Sequence, residues 1–235
     1  MPSNARTAFD ENLKDIEKLM ELHQREGGTS RGRRYDLEVL NKSAIVLITS
    51  YWEAYCEDIA AEALEHIVKH SKSSDTLPKE LKKAIAKELE NDKNDLAIWE
   101  VADAKWKTYL QARLEKLQEA RDRKLNTPKS GNIDQLFLSA VGINKVSSAW
   151  KWATKMTVAR SRVKLDKFVT LRGSIAHRGN SSKSVKKSEV TDYLNFIKQL
   201  AAKTGGRVNT HVKNVTGKPL WLTKRSSGRA KSARH

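Results

Sequence analysis

The residues best suited to chemistry are Arg172 and His177. They lie in the segment Leu171-Arg172-Gly173-Ser174-Ile175-Ala176-His177-Arg178-Gly179-Asn180. RNA carries its own nucleophile, because a 2′-hydroxyl can attack the adjacent phosphate without a metal. That reaction needs a group titrating near neutrality to move the proton, which a histidine supplies. It also needs fixed positive charge on the crowded phosphoryl transition state, which an arginine supplies through two parallel N–H donors. The spacing is double-edged. Five steps along a helix set the two side chains about 140° apart. They converge only if the helix distorts at Gly173 or if a second subunit completes the site. The plain alternative is an arginine making surface ion pairs and a histidine favoured by the dipole of a helix C-terminus.

The other chemical candidates are weaker. His66 and His70 are four apart, a metal-compatible spacing, but the sequence has no His-Glu-x-x-His arrangement. His23, His211 and His235 have no suitable companions nearby. No metal and no cofactor are expected. Cys56 is the single cysteine, which rules out an intrachain disulfide framework and a cysteine-based zinc site. It sits in the apolar stretch from Tyr51 to Ala61 and reads as a core thiol.

An all-α fold must position these residues. Phe9, Leu13, Ile16, Met20 and His23 form one helical stripe, and a glycine- and arginine-rich stretch follows from Gly27 to Arg34. A second helix is expected from about 37 to 70, apolar on most sides between Ala44 and Tyr55, as a core helix is. Helices over 79–90 and 96–124 come next, the latter carrying Trp99, Trp106, Leu110, Leu114 and Leu117 as a core stripe. Asn132 and Gln135 read as a capping box opening a helix through Val141, closed by Gly142. Another helix is expected over 160–177, with Val163, Phe168, Leu171 and Ile175 inward. Ser188 reads as the cap of a last helix bearing Val190, Leu194, Ile197 and Leu200. Beyond it, alternation at Val208, Thr210 and Val212 and the run Leu220-Trp221-Leu222 suggest a small hairpin, and Ser226 onward a disordered end. The expected organisation is an N-terminal helix and basic loop over 1–34, a helical domain over 35–202 and a basic tail over 203–235.

Composition narrows the partners. The 45 Lys and Arg against 28 Asp and Glu give a formal net charge of +17, and no acidic residue follows Asp192. Such a charge attracts polyanions, RNA first among them. No run approaches the roughly 18 apolar residues of a spanning helix, and the N-terminus lacks the apolar core of a secretory signal, so no membrane partner is expected and the cytoplasm is the expected compartment.

Three stretches resemble the HEPN superfamily, and more narrowly its RiboL-PSP group. They are Ser50-Tyr51-Trp52-Glu53-Ala54-Tyr55-Cys56-Glu57-Asp58, the segment from Asn126-Thr127-Pro128 to Gly142, and Leu171 to Gly179. The resemblance spans about residues 35 to 202. It implies a helical bundle whose arginine–histidine motif faces a groove, commonly at a two-fold dimer interface. It further implies a metal-independent endoribonuclease acting as a toxin or in phage defence, with an antitoxin or other regulatory protein as partner. His177 is then the acid–base group and Arg172 the phosphate-binding cation. Glu53 matches the family's acidic position, either orienting Arg172 or pairing with it structurally. Where members often carry a polar residue after the arginine, this chain has Gly173, for which Ser174 or Asn180 are the nearby substitutes. The tyrosine used for control by nucleotide transfer in some members is replaced by Gly179. Arg178, Lys183, Lys186 and Lys187 are the expected RNA contacts. The alternatives are a non-catalytic module binding RNA or a protein partner, and a purely structural helical protein.

Overall fold

The computed structural model describes residues 2–27, 37–119, 127–178 and 184–222. They form seven α-helices: α1 (Asn4–Gly27), α2 (Glu38–His70), α3 (Lys79–Glu90), α4 (Trp106–Glu119), α5 (Ser130–Val141), α6 (Val158–Arg178) and α7 (Lys187–Thr216). No strand occurs among the described residues. An isolated bridge joins Ala153 and Met156.

Helix α2 is the axis of the bundle. Ile45, Ile48, Trp52, Cys56, Ile59 and Leu64 are all fully buried, and they point in several directions around the helix. A helix apolar all round has to be enclosed by others, and α1, α4, α5, α6 and α7 all pack on it. Small residues at Ala44, Ala60 and Ala63 let neighbouring backbones come close. α1 lays Phe9, Leu13 and Ile16 onto α2, as its stripe predicts. The Glu62 carboxylate of α2 also accepts hydrogen bonds from the backbone N–H groups of Asn4 (3.2 Å) and Ala5 (3.1 Å). It thereby satisfies two donors left open at the first turn of α1 and opposes the positive end of that helix. So α1 shares the core of the bundle, and α7 runs across residues 202 and 203 without a break.

At the end of α5, Gly142 takes φ 74°, and a Cβ there would come within 2.8 Å of the Pro78 Cβ and 2.9 Å of the Leu81 amide nitrogen. Backbone conformation and the close approach of α3 both require glycine.

Several sequence expectations are corrected. The helix expected over 96–124 is interrupted: two 3₁₀ turns span Ala97–Val101 and Asp103–Lys105, Asp103 has φ 52°, and α4 starts only at Trp106. Trp106, Leu110 and Leu114 are core as expected, but Trp99 is 64% exposed because the break rotates it out of register. Residues 120–126 lie outside the described part. α5 begins at Ser130, before the supposed capping box, and the Asn132 amide donates to the Thr127 carbonyl instead. Val163 is 55% exposed on the outer side of α6. α7 starts one residue before Ser188, where the Glu189 carboxylate accepts from the Lys186 N–H at 3.0 Å.

The hairpin expected after residue 203 is absent, since α7 continues to Thr216. Its apparent alternation reflects the helical positions Val208 and Val212, both fully buried. Two adjacent glycines make a poor helix interior. Gly205 is nevertheless needed, because a Cβ there would meet the Tyr55 hydroxyl at 2.7 Å. Tyr55 donates to the Ala201 carbonyl at 2.9 Å, which ties the middle of α7 to α2. The stretches 28–36 and 223–235, including the arginine-rich loop and the end from Ser226, lie outside the described residues.

The two tryptophans of the broken helix give a direct test. Trp106→Ala should cost about 3–5 kcal/mol in urea unfolding, whereas Trp99→Ala should change stability by less than about 0.5 kcal/mol.

Candidate functional site

The motif helix α6 is anchored before it reaches Arg172. Asp166 accepts from the Ser130 backbone N–H (2.7 Å) and hydroxyl (3.0 Å), so α6 caps the start of α5. One turn earlier, Arg162 Nη1 donates to Asp134 (2.7 Å) and to the Ser147 hydroxyl (2.6 Å). Asp134 also accepts from the Ser147 N–H at 2.8 Å. Hydrogen bonds to charged groups, partly buried, are among the stronger polar contacts. They fix the register of α6 against α5.

On its inner face α6 buries Leu165, Val169 and Ile175. Phe168 stacks on Tyr193 of α7, with ring centroids 4.0 Å apart and an interplanar angle of 13°. Tyr193 is itself fully buried and shares a hydrogen bond with the Thr49 hydroxyl of α2 at 2.9 Å. Arg172 emerges beside this contact, half-buried, and its charge acts on both Tyr193 and Glu53. Its Nε is buried and has no hydrogen-bond partner.

Glu53 projects from α2 into the same region. Burial pushes its carboxyl up to about 7, and the nearby Arg172 charge pulls the other way without prevailing. Among the described residues the two form no ion pair within 4.0 Å, so neither neutralises the other. A half-buried guanidinium with an unmet donor faces a carboxyl that is substantially protonated at neutral pH. Leaving a buried donor unmet costs about 1–3 kcal/mol, and an anion accepting from it would remove that cost.

The structure therefore brings Glu53 and Arg172 together, but not His177. α6 is continuous through Gly173, so the helix does not distort as one sequence option required. His177 is exposed on the outer side, near the C-terminal end of α6. Ser174 is half-buried one turn before it. Gly173 faces open space, with nothing within 4 Å of an added Cβ. Lys186 precedes α7 and is exposed, and Lys187 is half-buried. This junction sits over the start of α2, where Asn41 donates to the Val185 carbonyl (2.9 Å) and Ser184 to Glu38 (3.2 Å). Gly179, Asn180, Lys183 and the Arg178 side chain lie outside the described residues.

Other candidates stay separate. His66 and His70 stack at 4.1 Å, and no group of three or more metal-ligating side chains forms among the described residues. Cys56 is buried, and burial raises its thiol well above the usual range. No helix among the described residues is long and apolar enough to cross a membrane. Sequence reasoning missed Tyr193, Thr49, Asp134 and Asp166. The two aspartates had a faint signal, each being the sole acid of its helix. Tyr193 and Thr49 had none, since their partners lie on other helices.

The Glu53 carboxyl gives a prediction with a defined sign. Its affinity for a proton is higher in the folded chain than at the ordinary value of 4.5. Folding thus takes up a proton between that value and about 7, and stability falls as pH rises through this window. Glu53→Gln removes that fall. Thermal melts should show the variant losing less Tm than wild type from about pH 5 to about pH 8, and melting about 2–4 °C higher at the upper end.

Comparison with known proteins agrees with this architecture. No curated protein and no solved structure matches the chain. The family model described as RiboL-PSP-HEPN matches residues 9–208, which takes in Glu53, Arg172 and His177 and reaches into both ends of the chain beyond the 35–202 suggested by the motifs. With that match extending over most of its 235 residues, the chain belongs to the RiboL-PSP-HEPN family.

Proposed function

We propose that the chain is a metal-independent endoribonuclease acting as a homodimer, with Arg172 and His177 carrying the reaction. The observation that supports this best is the unpartnered, buried Nε of Arg172 beside a carboxyl raised to about 7, on the helix that ends with an exposed His177. A cation held in that way is suited to a phosphate. Family membership points to the same class of partner.

In the reaction, the RNA 2′-hydroxyl loses its proton to a histidine and attacks the neighbouring phosphorus. The bond to the 5′-oxygen breaks, that oxygen takes a proton, and a 2′,3′-cyclic phosphate remains. Arg172 stabilises the extra negative charge on the phosphoryl oxygens as the new bond forms. Glu53, on the protein side of Arg172, limits the positions the guanidinium can adopt.

One chain does not hold both groups on one face. Val163 and His177, however, share the outer face of α6, within about 40° on a helical projection. The exposed valine makes that face a suitable contact for a second copy. Packing two copies about a two-fold axis along α6 puts two arginines and two histidines around one groove, and one histidine can act as base while the other acts as acid. Cleavage of cellular RNA suits a toxin or phage-defence effector restrained by an antitoxin or other regulatory protein.

Wild type should cleave a labelled single-stranded RNA in the presence of EDTA and leave cyclic phosphate ends. Arg172→Ala and His177→Ala should each lose at least about 100-fold in rate. Mixed dimers of these two variants should regain part of the activity. Unchanged cleavage by His177→Ala would sink the assignment. Growth arrest on expression should be relieved by Arg172→Ala.

Gly173 favours a second reading, a non-catalytic module that binds RNA or a protein partner. The space beside it is open, so Gly173→Asn should fold normally. If wild type binds RNA without cleaving it and Gly173→Asn cleaves, the second reading holds.

A further inference from the structure

We propose a second RNA-binding site at the opposite end of α7, built to take a single strand by its phosphates and to stack one base. It rests on the reading that RNA is the ligand of this chain, but it does not require cleavage. A cleft of about 790 Å³ lies there, lined by Arg6 of α1, Tyr55 of α2, Gly206, Lys213 and Asn214 of α7, and Trp221. That volume falls within the range of small-ligand pockets. Tyr193, beside Arg172, and Lys213 are 20 residues apart on α7, which sets the two regions about 30 Å apart.

Positive charge is concentrated at this end of the chain. The sequence contains no acid after Asp192. On the distal half of α7, Lys203, Arg207 and Lys213, with Lys218 just beyond, make no ion pair among the described residues. Elsewhere on the surface lysines do find carboxylates, as in Lys14 with Glu11 (2.6 Å), Lys83 with Glu80 (3.1 Å) and Lys198 with Glu17 (3.2 Å). Arg6 is already tied to Asp10 at 2.8 Å, so the uncompensated charge lining the cleft is that of Lys213. Spacings of four, three and four put Lys203, Arg207, Thr210 and Asn214 on one face of α7. Gly206 and Lys213 flank it. Lys203 and Arg207 beside the cleft and Lys213 lining it form a row of cations that can follow a phosphate backbone.

Trp221 supplies a stacking surface beside these cations. Its backbone is held to Asn209 by two hydrogen bonds, the Asn209 amide donating to the Trp221 carbonyl (3.1 Å) and the Trp221 N–H donating to Asn209 Oδ1 (3.2 Å). Its indole rests over Gly205, where an added Cβ would lie 3.4 Å from the ring. The ring remains partly exposed at the cleft. An aromatic side chain fixed beside unpaired cations is the pairing by which proteins bind single strands without reading their sequence.

The test uses the full chain with His177→Ala, so that bound RNA stays intact, and a fluorescein-labelled polyuridine oligonucleotide as probe. Neutralising Lys203, Arg207 and Lys213 to alanine should lower the steepness of log K against log salt by about 2, at about 0.7 per phosphate contact on a single strand. Arg207 and Lys213 are exposed and Lys203 half-buried, and none of the three is a core residue. Trp221→Leu keeps apolar bulk, and it should weaken polyuridine about tenfold while leaving inorganic polyphosphate binding unchanged. Unchanged affinity and slope in the triple variant would overturn the proposal. So would binding to phosphatidylserine vesicles that equals RNA binding and is lost in the same variants. If wild type never cleaves RNA but the triple variant still loses polyuridine, this site stands and the nuclease reading falls.

Discussion

The burial of α2 is the constraint on which the rest of the structure depends. A helix of 33 residues with apolar side chains on nearly every side has no stable position at a surface, so the other helices are obliged to enclose it. Its few inward polar groups then become valuable. Thr49 meets the Tyr193 hydroxyl, and Tyr55 donates to the Ala201 carbonyl, so both tie α2 to α7. Glu53 sits on the same helix, and among the described residues it forms no ion pair with α6 or α7. The element that stabilises the bundle also holds a carboxyl beside the motif arginine.

Electrostatics follows from that packing. Burial keeps Glu53 from ionising fully at neutral pH, and among the described residues Arg172 makes no ion pair. Had the two approached within bonding distance, the guanidinium would be occupied and the carboxylate ionised, the usual outcome for a partly buried pair. The separation between them is set by anchors further along α6, at Asp166 on Ser130 and at Arg162 on Asp134. These contacts touch no candidate reacting group, yet they determine where the motif points. α7 also links two regions of different design, one beside the half-buried Arg172 and the other bearing Lys203, Arg207 and Lys213.

Particular residues show how legible all this was. The α2 core, the stripe of α1 and the αL glycine at Gly142 follow from period and residue type, because each is decided within one helix. Trp99 and Val163 were misjudged because periodicity gives faces but not which face has a neighbour. The hairpin read after residue 203 failed for a related reason. Gly205-Gly206 looks like a break, and only the Tyr55 hydroxyl pressing on Gly205 explains why a helix keeps glycine there. Asp134 and Asp166 act on chain segments 13 to 36 residues away, beyond any local pattern.

Of the pair Arg172 and His177, the sequence by itself determined the residue types, their order on one helix and the family to which the motif points. It also determined the excess of positive charge and its concentration after Asp192. Tertiary structure decided the rest. α6 stays regular through Gly173, so Arg172 turns inward to Glu53 and Tyr193 while His177 stays at the surface. The physical reason is that a side chain's direction on a helix is local, whereas its surroundings, and hence its charge state and partners, belong to the helices packed against it.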